Sequence, residues 1–354
     1  RSAETATRKA RVTATVPVAP AVVKHTDRAE TSLSAPILRH PVARRTTLAL
    51  VTAALLAPGT ARAQVAPDLH WQVITTTHVS VLFSPGLEDV ARRAAGSAER
   101  AYAALARELS PPRGPISIVV ADNYDTSNGY ASFFPTNRIV IYARPTVDAN
   151  SLKFIDDWVD LVVTHELAHI FHLDRTRGLW RLGQAIFGRN PFLFPNAYSP
   201  SWLSEGIAVY YESKLTGGGR NVGTDFDAIA RAHVIGGTLP GAHELSAASP
   251  IYPLGSIAYT FGSPLVERVA AAGGPDGMRK FVDRNAVQVI PFLLNTNAKS
   301  AFGVSFDDAY SAWSDSVRRS TQLLAQRVPS PNPIVTGGWF SVRPRWINND
   351  TLIW

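Results

Sequence analysis

The run His165-Glu166-Leu167-Ala168-His169 constrains this chain more than any other feature. It lies in a segment whose apolar residues recur at helical spacing: Phe154, Ile155, Trp158, Leu161, Val162, Ile170 and Phe171. Helical residues turn by about 100° each, so positions i and i+4 are about 40° apart and both imidazoles leave one face. Two ring nitrogens placed this way reach one ion at about 2.0–2.1 Å. Glu166 stands beside them, positioned to take a proton from water activated there rather than to ligate. The chain has nine histidines in 354 residues, so chance supplies such a run far less than once.

The chain has no cysteine, which excludes thiolate zinc sites and cysteine nucleophiles and leaves His, Asp and Glu to build any metal centre. A catalytic zinc needs a third protein ligand and an open position. The longer pattern H-E-x-x-H-x-x-G-x-x-H is broken, because His172 stands at its Gly position and Arg175 at its last His. The alternative is Glu205, near the start of a helix that Ser199 would cap with Pro200 in its first position. Gly206 has no Cβ and would let two helices approach closely around a metal. Glu212 follows Glu205 by seven residues and so shares its face. Read alone, Glu205 is a first-turn acid favoured by the helix dipole; with the H-E-x-x-H run upstream it is the third ligand.

The net charge of +7 invites a nucleic-acid reading that its distribution removes. Residues 1–63 hold ten Lys and Arg against three Asp and Glu, and residues 64–354 hold twenty-five of each. The body of the chain therefore has no bias towards nucleic acid. Arg44-Arg45, the apolar run Leu48–Ala57 and Ala61-Arg62-Ala63 read as a secretory signal over residues 42–63, cleaved before Gln64. That implies an exported protein, periplasmic or extracellular, with no transmembrane span after cleavage. Residues 1–41 lack periodicity and read as disordered or upstream non-native sequence, with translation starting nearer Val42.

The spacing predicts strands over Val73–Phe83, Ile116–Ala121 and Arg138–Ala143, with a helix over Leu87–Leu109. Helices are expected over 151–173, 200–213, 224–235, 256–272, 276–284 and 307–327. Between them, 176–199 reads as a long irregular loop whose Trp180, Phe187, Phe192 and Phe194 either wall a substrate cleft or pack beneath the loop. Gly217-Gly218-Gly219 is a flexible turn without phosphate-loop context. Pro329–Pro333 is a linker by composition, and Phe340–Trp354 reads as two short strands around Asn348-Asn349-Asp350. The organisation is α+β: a mixed-sheet part, then a helical part.

His165-Glu166-x-x-His169 followed by Trp202-Leu203-Ser204-Glu205-Gly206-Ile207-Ala208-Val209-Tyr210-Tyr211-Glu212 resembles the gluzincin zinc metallopeptidases, specifically bacterial peptidase MA-like domains. The resemblance extends over roughly residues 71–325 and includes Asn128-Gly129 and Tyr252-Pro253-x-Gly255. It implies a zincin-type two-lobed metallopeptidase domain over 64–328, with one Zn²⁺ per chain held by His165, His169 and Glu205. Glu166 becomes the general base and a peptide or protein the substrate. It also implies that the strand near Arg138–Tyr142 is the edge that pairs with an extended peptide. Pro344-Arg345-Trp346 and Asn349-Asp350 resemble the first strands of a TolB-like β-propeller, which makes residues 329–354 a linker and a truncated propeller start. Two departures stand out. The 36-residue gap from His169 to Glu205 is longer than in the thermolysin-like and aminopeptidase branches, and Asn128–Arg138 holds no acid to bind a free amine. The missing acid disfavours an aminopeptidase and leaves an endopeptidase or a peptidase of another preference.

A developing oxyanion needs a donor besides the metal. Tyr252 and Tyr259 are the candidates, with Tyr252 preferred. Glu212 and Asp160 are the candidate carboxylates for orienting the histidines. No G-x-S-x-G elbow supports serine-hydrolase chemistry. The rival readings are a catalytically inactive peptidase-like platform acting with a β-propeller, which the intact Glu166 opposes, and a zinc hydrolase of non-peptide amides.

Overall fold

A computed structural model of the chain describes residues 69–146, 155–246, 249–290, 293–327, 345–349 and 351–353. The expected signal segment, the stretch before it and the linker at Pro329–Pro333 lie outside the described residues. Within the compact unit of residues 63–354, strands β1 (Gln72–Thr75) and β2 (Val79–Phe83) form an antiparallel hairpin where one strand was expected. The chain breaks at Thr76–His78 because Glu99 takes hydrogen bonds there, from Thr76 Oγ1 at 2.6 Å and the His78 backbone at 2.8 Å. Helix α1 (Glu88–Glu108) leads to β3 (Ile116–Ala121), which runs parallel to β2. Strands β4 (Gly129–Ser132) and β5 (Asn137–Tyr142) are antiparallel, and β5 pairs parallel with β3.

The sheet order is β1-β2-β3-β5-β4, so β5 is interior and β4 is the edge on this side. The expected edge at Arg138–Tyr142 is therefore corrected. The short β4, Gly-Tyr-Ala-Ser, has no apolar alternation to announce it. One face of the sheet carries the buried side chains Val81, Ile116, Ile118, Val120, Ile139 and Ile141 and packs against α1 and α2 (Trp158–Leu173). Each such side chain contributes about 1.5–3 kcal/mol by leaving water. Helix α1 presents mostly alanines to this core (Ala91, Ala94, Ala98, Ala101), which lets its backbone lie close.

Helix α2 is buried on nearly all sides, from Trp158 to His172 with Asp160 excepted. Its start is held by Asp157, whose carboxylate accepts from the Val159 and Asp160 amides at 2.9 and 3.2 Å and pairs with Arg93 at 2.6 Å. Trp158 Nε1 donates to the Tyr142 carbonyl at 2.9 Å, tying the helix to the end of β5.

The C-terminal part is helical: α3 (Gly178–Phe187), α4 (Ser201–Thr216), α5 (Asp225–Gly236), α6 (Ile257–Gly273), α7 (Gly277–Asn285), α8 (Leu294–Phe302) and α9 (Phe306–Arg327). Five of these lie where the spacing placed them. Helices α3 and α8 were not expected, and 176–199 is ordered as α3 plus two 3₁₀ turns rather than an irregular loop. Helix α4 starts one residue later than expected, with Pro200 in the cap position. Arg345–Trp346 and Leu352–Ile353 pair as two short antiparallel strands (β6 and β7).

Gly206 does permit a close helix approach, but to α6 rather than to the H-E-x-x-H helix. A Cβ there would stand 2.8 Å from the Gly262 carbonyl, and one on Gly262 would stand 2.1 Å from the Trp202 carbonyl. Gly262→Ala would ordinarily gain helix propensity worth up to about 1 kcal/mol. Here it forces α4 and α6 apart and lowers unfolding free energy by about 1–3 kcal/mol, read by urea denaturation; equal or greater stability than the parent would refute the crossing.

Candidate metal centre

His165 and His169 leave α2 one turn apart, and Glu205 reaches them from the first turns of α4. The three donor atoms lie within 4.8 Å of one another. Glu205 Oε2 is 3.5 Å from His165 Nε2 and 3.3 Å from His169 Nε2. Ligands bound tetrahedrally at about 2.0–2.1 Å sit about 3.3 Å apart, so the spacing fits a zinc-sized ion. Glu205 Oε2 is buried without a hydrogen-bond partner among the described residues, although it faces two imidazoles. A cation at their convergence satisfies it. Two nitrogens and one carboxylate oxygen, with no thiolate, is a donor set that zinc accepts in catalytic sites.

Behind His165, the buried Glu212 accepts from Nδ1 at 2.7 Å. This assigns the imidazole tautomer that leaves Nε2 free to ligate. Glu212 also takes two hydrogen bonds from Arg220, through Nη1 at 2.7 Å and the backbone amide at 3.0 Å. The glycine turn after α4 makes this return possible. Gly219 has φ of +83°, and a Cβ there would stand 2.5 Å from Glu212 Oε1. Sequence reasoning missed Arg220 and gave that turn no role. The available signal was a buried-face carboxylate whose nearest cation in sequence, Lys214, lies two residues on and so off its helical face. Asp160, the other carboxylate expected to orient the histidines, instead pairs with Arg100 at 2.7 Å on the outside of α2.

The donors open on a cleft of about 310 Å³ bounded by α2, α4, Arg220, Tyr259 and the edge strand β4. Glu166 lines it, and Gly129 of β4 lies against that residue: a Cβ at 129 would be 2.5 Å from Val162 Cγ2 and 3.1 Å from Glu166 Oε1. Tyr259 lines the cleft beside the ligands, its ring 6.4 Å from that of His165 and under the Arg220 guanidinium. Tyr252 is not among the lining residues. It stands 56% exposed in the turn before α6, its carbonyl within 2.7 Å of His233 Nε2. His172 is buried one turn beyond His169 and is not one of the three converging donors. Of the aromatics at 176–199, Phe194 is buried, while Phe187 and Phe192 are exposed; none lines this cleft.

Burial pushes the Glu166 carboxyl above the ordinary range, the direction a general base near neutral pH requires. Burial opposes charge on His165, but the adjacent Glu205 and Glu212 carboxylates outweigh it and hold its pKa up at about 9. Burial also opposes ionisation of Glu205, yet the two imidazoles pull its carboxyl well below the usual range. His172 is driven down to about 3 by burial and stays neutral.

Two outcomes follow for zinc. A zinc ion held there would displace a proton from His165, so affinity is expected to rise about tenfold per pH unit up to about 9 and then level; chelator competition titrations at several pH values measure the slope. Glu212→Gln, which keeps shape but loses charge, weakens zinc binding by about 10–100-fold.

No protein-family model matches the chain, and no curated protein does. Among solved structures, the M1 zinc metallopeptidase from Deinococcus radiodurans is 18% identical over 70% of this chain and 50% of that one, with a TM-score of 0.37. Yeast LTA4 hydrolase in complex with bestatin is 14% identical over 76% of this chain and 41% of that one, with a TM-score of 0.37. The chain thus spans about half or less of the length of each.

Proposed function

We propose that this chain is a zinc-dependent metallopeptidase of the gluzincin, peptidase MA-like type that cleaves within peptide chains. The convergence of His165, His169 and Glu205 at 3.3–3.5 Å, in a cleft that also holds Glu166, carries the reading. Zinc held by these three residues would supply a Lewis acid at the scissile carbonyl and lower the pKa of water there. Glu166 takes a proton from the attacking water and passes it to the leaving amine, a role its raised pKa suits. Tyr259, rather than Tyr252, donates to the developing oxyanion, because it alone of the two lines the cleft. Glu212 and Arg220 hold His165 in place from behind.

The substrate lies extended along β4, the strand that ends the described sheet on the cleft side. Among the described residues the acids lining the cleft are Glu166 and Glu205, both assigned to the metal centre, so none of these is left to bind a free amino terminus. That supports endopeptidase action. The intact, buried Glu166 favours an active enzyme over an inactive binding platform. Export to the periplasm or outside the cell and a β-propeller beginning near Arg345 complete the proposal. They rest on the signal-like residues 42–63 and on the motif near Asn349.

The test is elemental zinc on the purified full chain, followed by peptide cleavage. The parent holds about one zinc and Glu205→Ala clearly less. Glu166→Gln keeps zinc but loses about 10²–10⁴-fold in kcat, and Tyr259→Phe loses about 10²–10³-fold where Tyr252→Phe changes little. A zinc-free folded parent, or full activity in Glu166→Gln, would sink the assignment.

A further inference from the structure

Helix α3 lies on the body with its apolar stripe facing outward. Polar groups fasten its inner side: Trp180 Nε1 donates to the Gln288 carbonyl at 2.7 Å, and Gln184 Nε2 to the Leu193 carbonyl at 3.0 Å. None of its residues is buried. Leu179, Leu182 and Ile186, at i, i+3 and i+7, are 67%, 58% and 66% exposed. That spacing ordinarily marks the face a helix buries. Exposed Val289 and Ile290 follow Gln288, the residue bonded to Trp180, and extend the apolar surface beside α3. An outward patch of this kind marks an interaction surface.

The surroundings are basic. From Arg175 to Ser204 the chain has four arginines and no acid. Arg175 and Arg177 share Asp283, Arg189 pairs with the buried Asp174, and Arg181 makes no ion pair among the described residues. With Arg113, bonded to Gln184, five arginines meet two aspartates, a local excess of three positive charges. A second copy of the chain would bring the same positive charge against this surface.

We propose that α3 is an interfacial helix that seats the protein on an anionic lipid surface. Leu179, Leu182 and Ile186 enter the headgroup–acyl boundary while the exposed Arg177 and Arg181 meet lipid phosphates. Among the described residues no helix is long and apolar enough to cross a membrane, so the contact is peripheral. The inference is independent of the metal centre.

Co-sedimentation of the full chain with vesicles of phosphatidylcholine, alone or with phosphatidylglycerol, tests it. The parent binds the anionic vesicles and is released by high salt. Leu182→Glu combined with Ile186→Glu lowers partitioning at least about tenfold, and Arg181→Glu lowers it and flattens the salt dependence. The basic residues 1–63 are common to all variants, so the difference belongs to α3. These side chains are exposed, so the double variant keeps its melting temperature and its zinc content. Equal binding by parent and double variant, or no preference for anionic vesicles, overturns the proposal. A parent dimer that the double variant dissociates assigns the surface to protein and also overturns it.

Discussion

Glu212 is a carboxylate with no exposure to solvent inside a helical core. Taking such a charge out of water costs several kcal/mol, recovered only when geometry and partners are complete. Here the partners are the Arg220 guanidinium, the Arg220 amide and His165 Nδ1, all within 3.0 Å of its oxygens. The glycine turn that brings Arg220 back, the orientation of His165 and the stability of α4 therefore depend on one buried contact. Loss of either charge leaves the other stranded, at a cost of about 3–5 kcal/mol.

The same economy of space runs through the cleft. Helix α2 carries its polar motif through an apolar core, where a polar atom is costly unless a neighbour answers it; His165 Nδ1 is answered, while His169 Nδ1 and both ring nitrogens of His172 have no hydrogen-bond partner among the described residues. The answers come from different parts of the chain: α4 brings Glu205 and Glu212, and β4 supplies the wall beside Glu166. Glycines set the distances. Gly129 lets β4 touch Glu166, and the Gly206–Gly262 contact lets α6 bring Tyr259 to the centre. Low local dielectric then amplifies each electrostatic term, which is why Glu166 and Glu205, on the same cleft, are shifted in opposite directions.

The outside of α3 follows the opposite logic. The buried Asp174 and Glu212 are paired with arginines, whereas here apolar side chains are left in water beside excess positive charge. Burial of those side chains against another phase would recover the hydrophobic free energy that folding leaves unused.

Helical periodicity is local, and it made the shared face of His165 and His169 legible without coordinates. The i, i+4 histidines share one side of α2, and Glu205 and Glu212, seven apart, both turn to that centre from α4. Most helices were legible for the same reason, since their apolar stripes are continuous in sequence. Tertiary packing decided the rest. Tyr252 and Tyr259 are also seven apart, but α6 begins at Ile257, so only Tyr259 rides the helix into the cleft. Strand β4 became the edge because β5 pairs on both sides, a fact of sheet order that a four-residue segment does not announce. The cation for Glu212 and the outward turn of α3 were likewise settled by contacts between segments far apart in the chain. Such contacts depend on how elements dock, and the period of a single element holds no record of its neighbours.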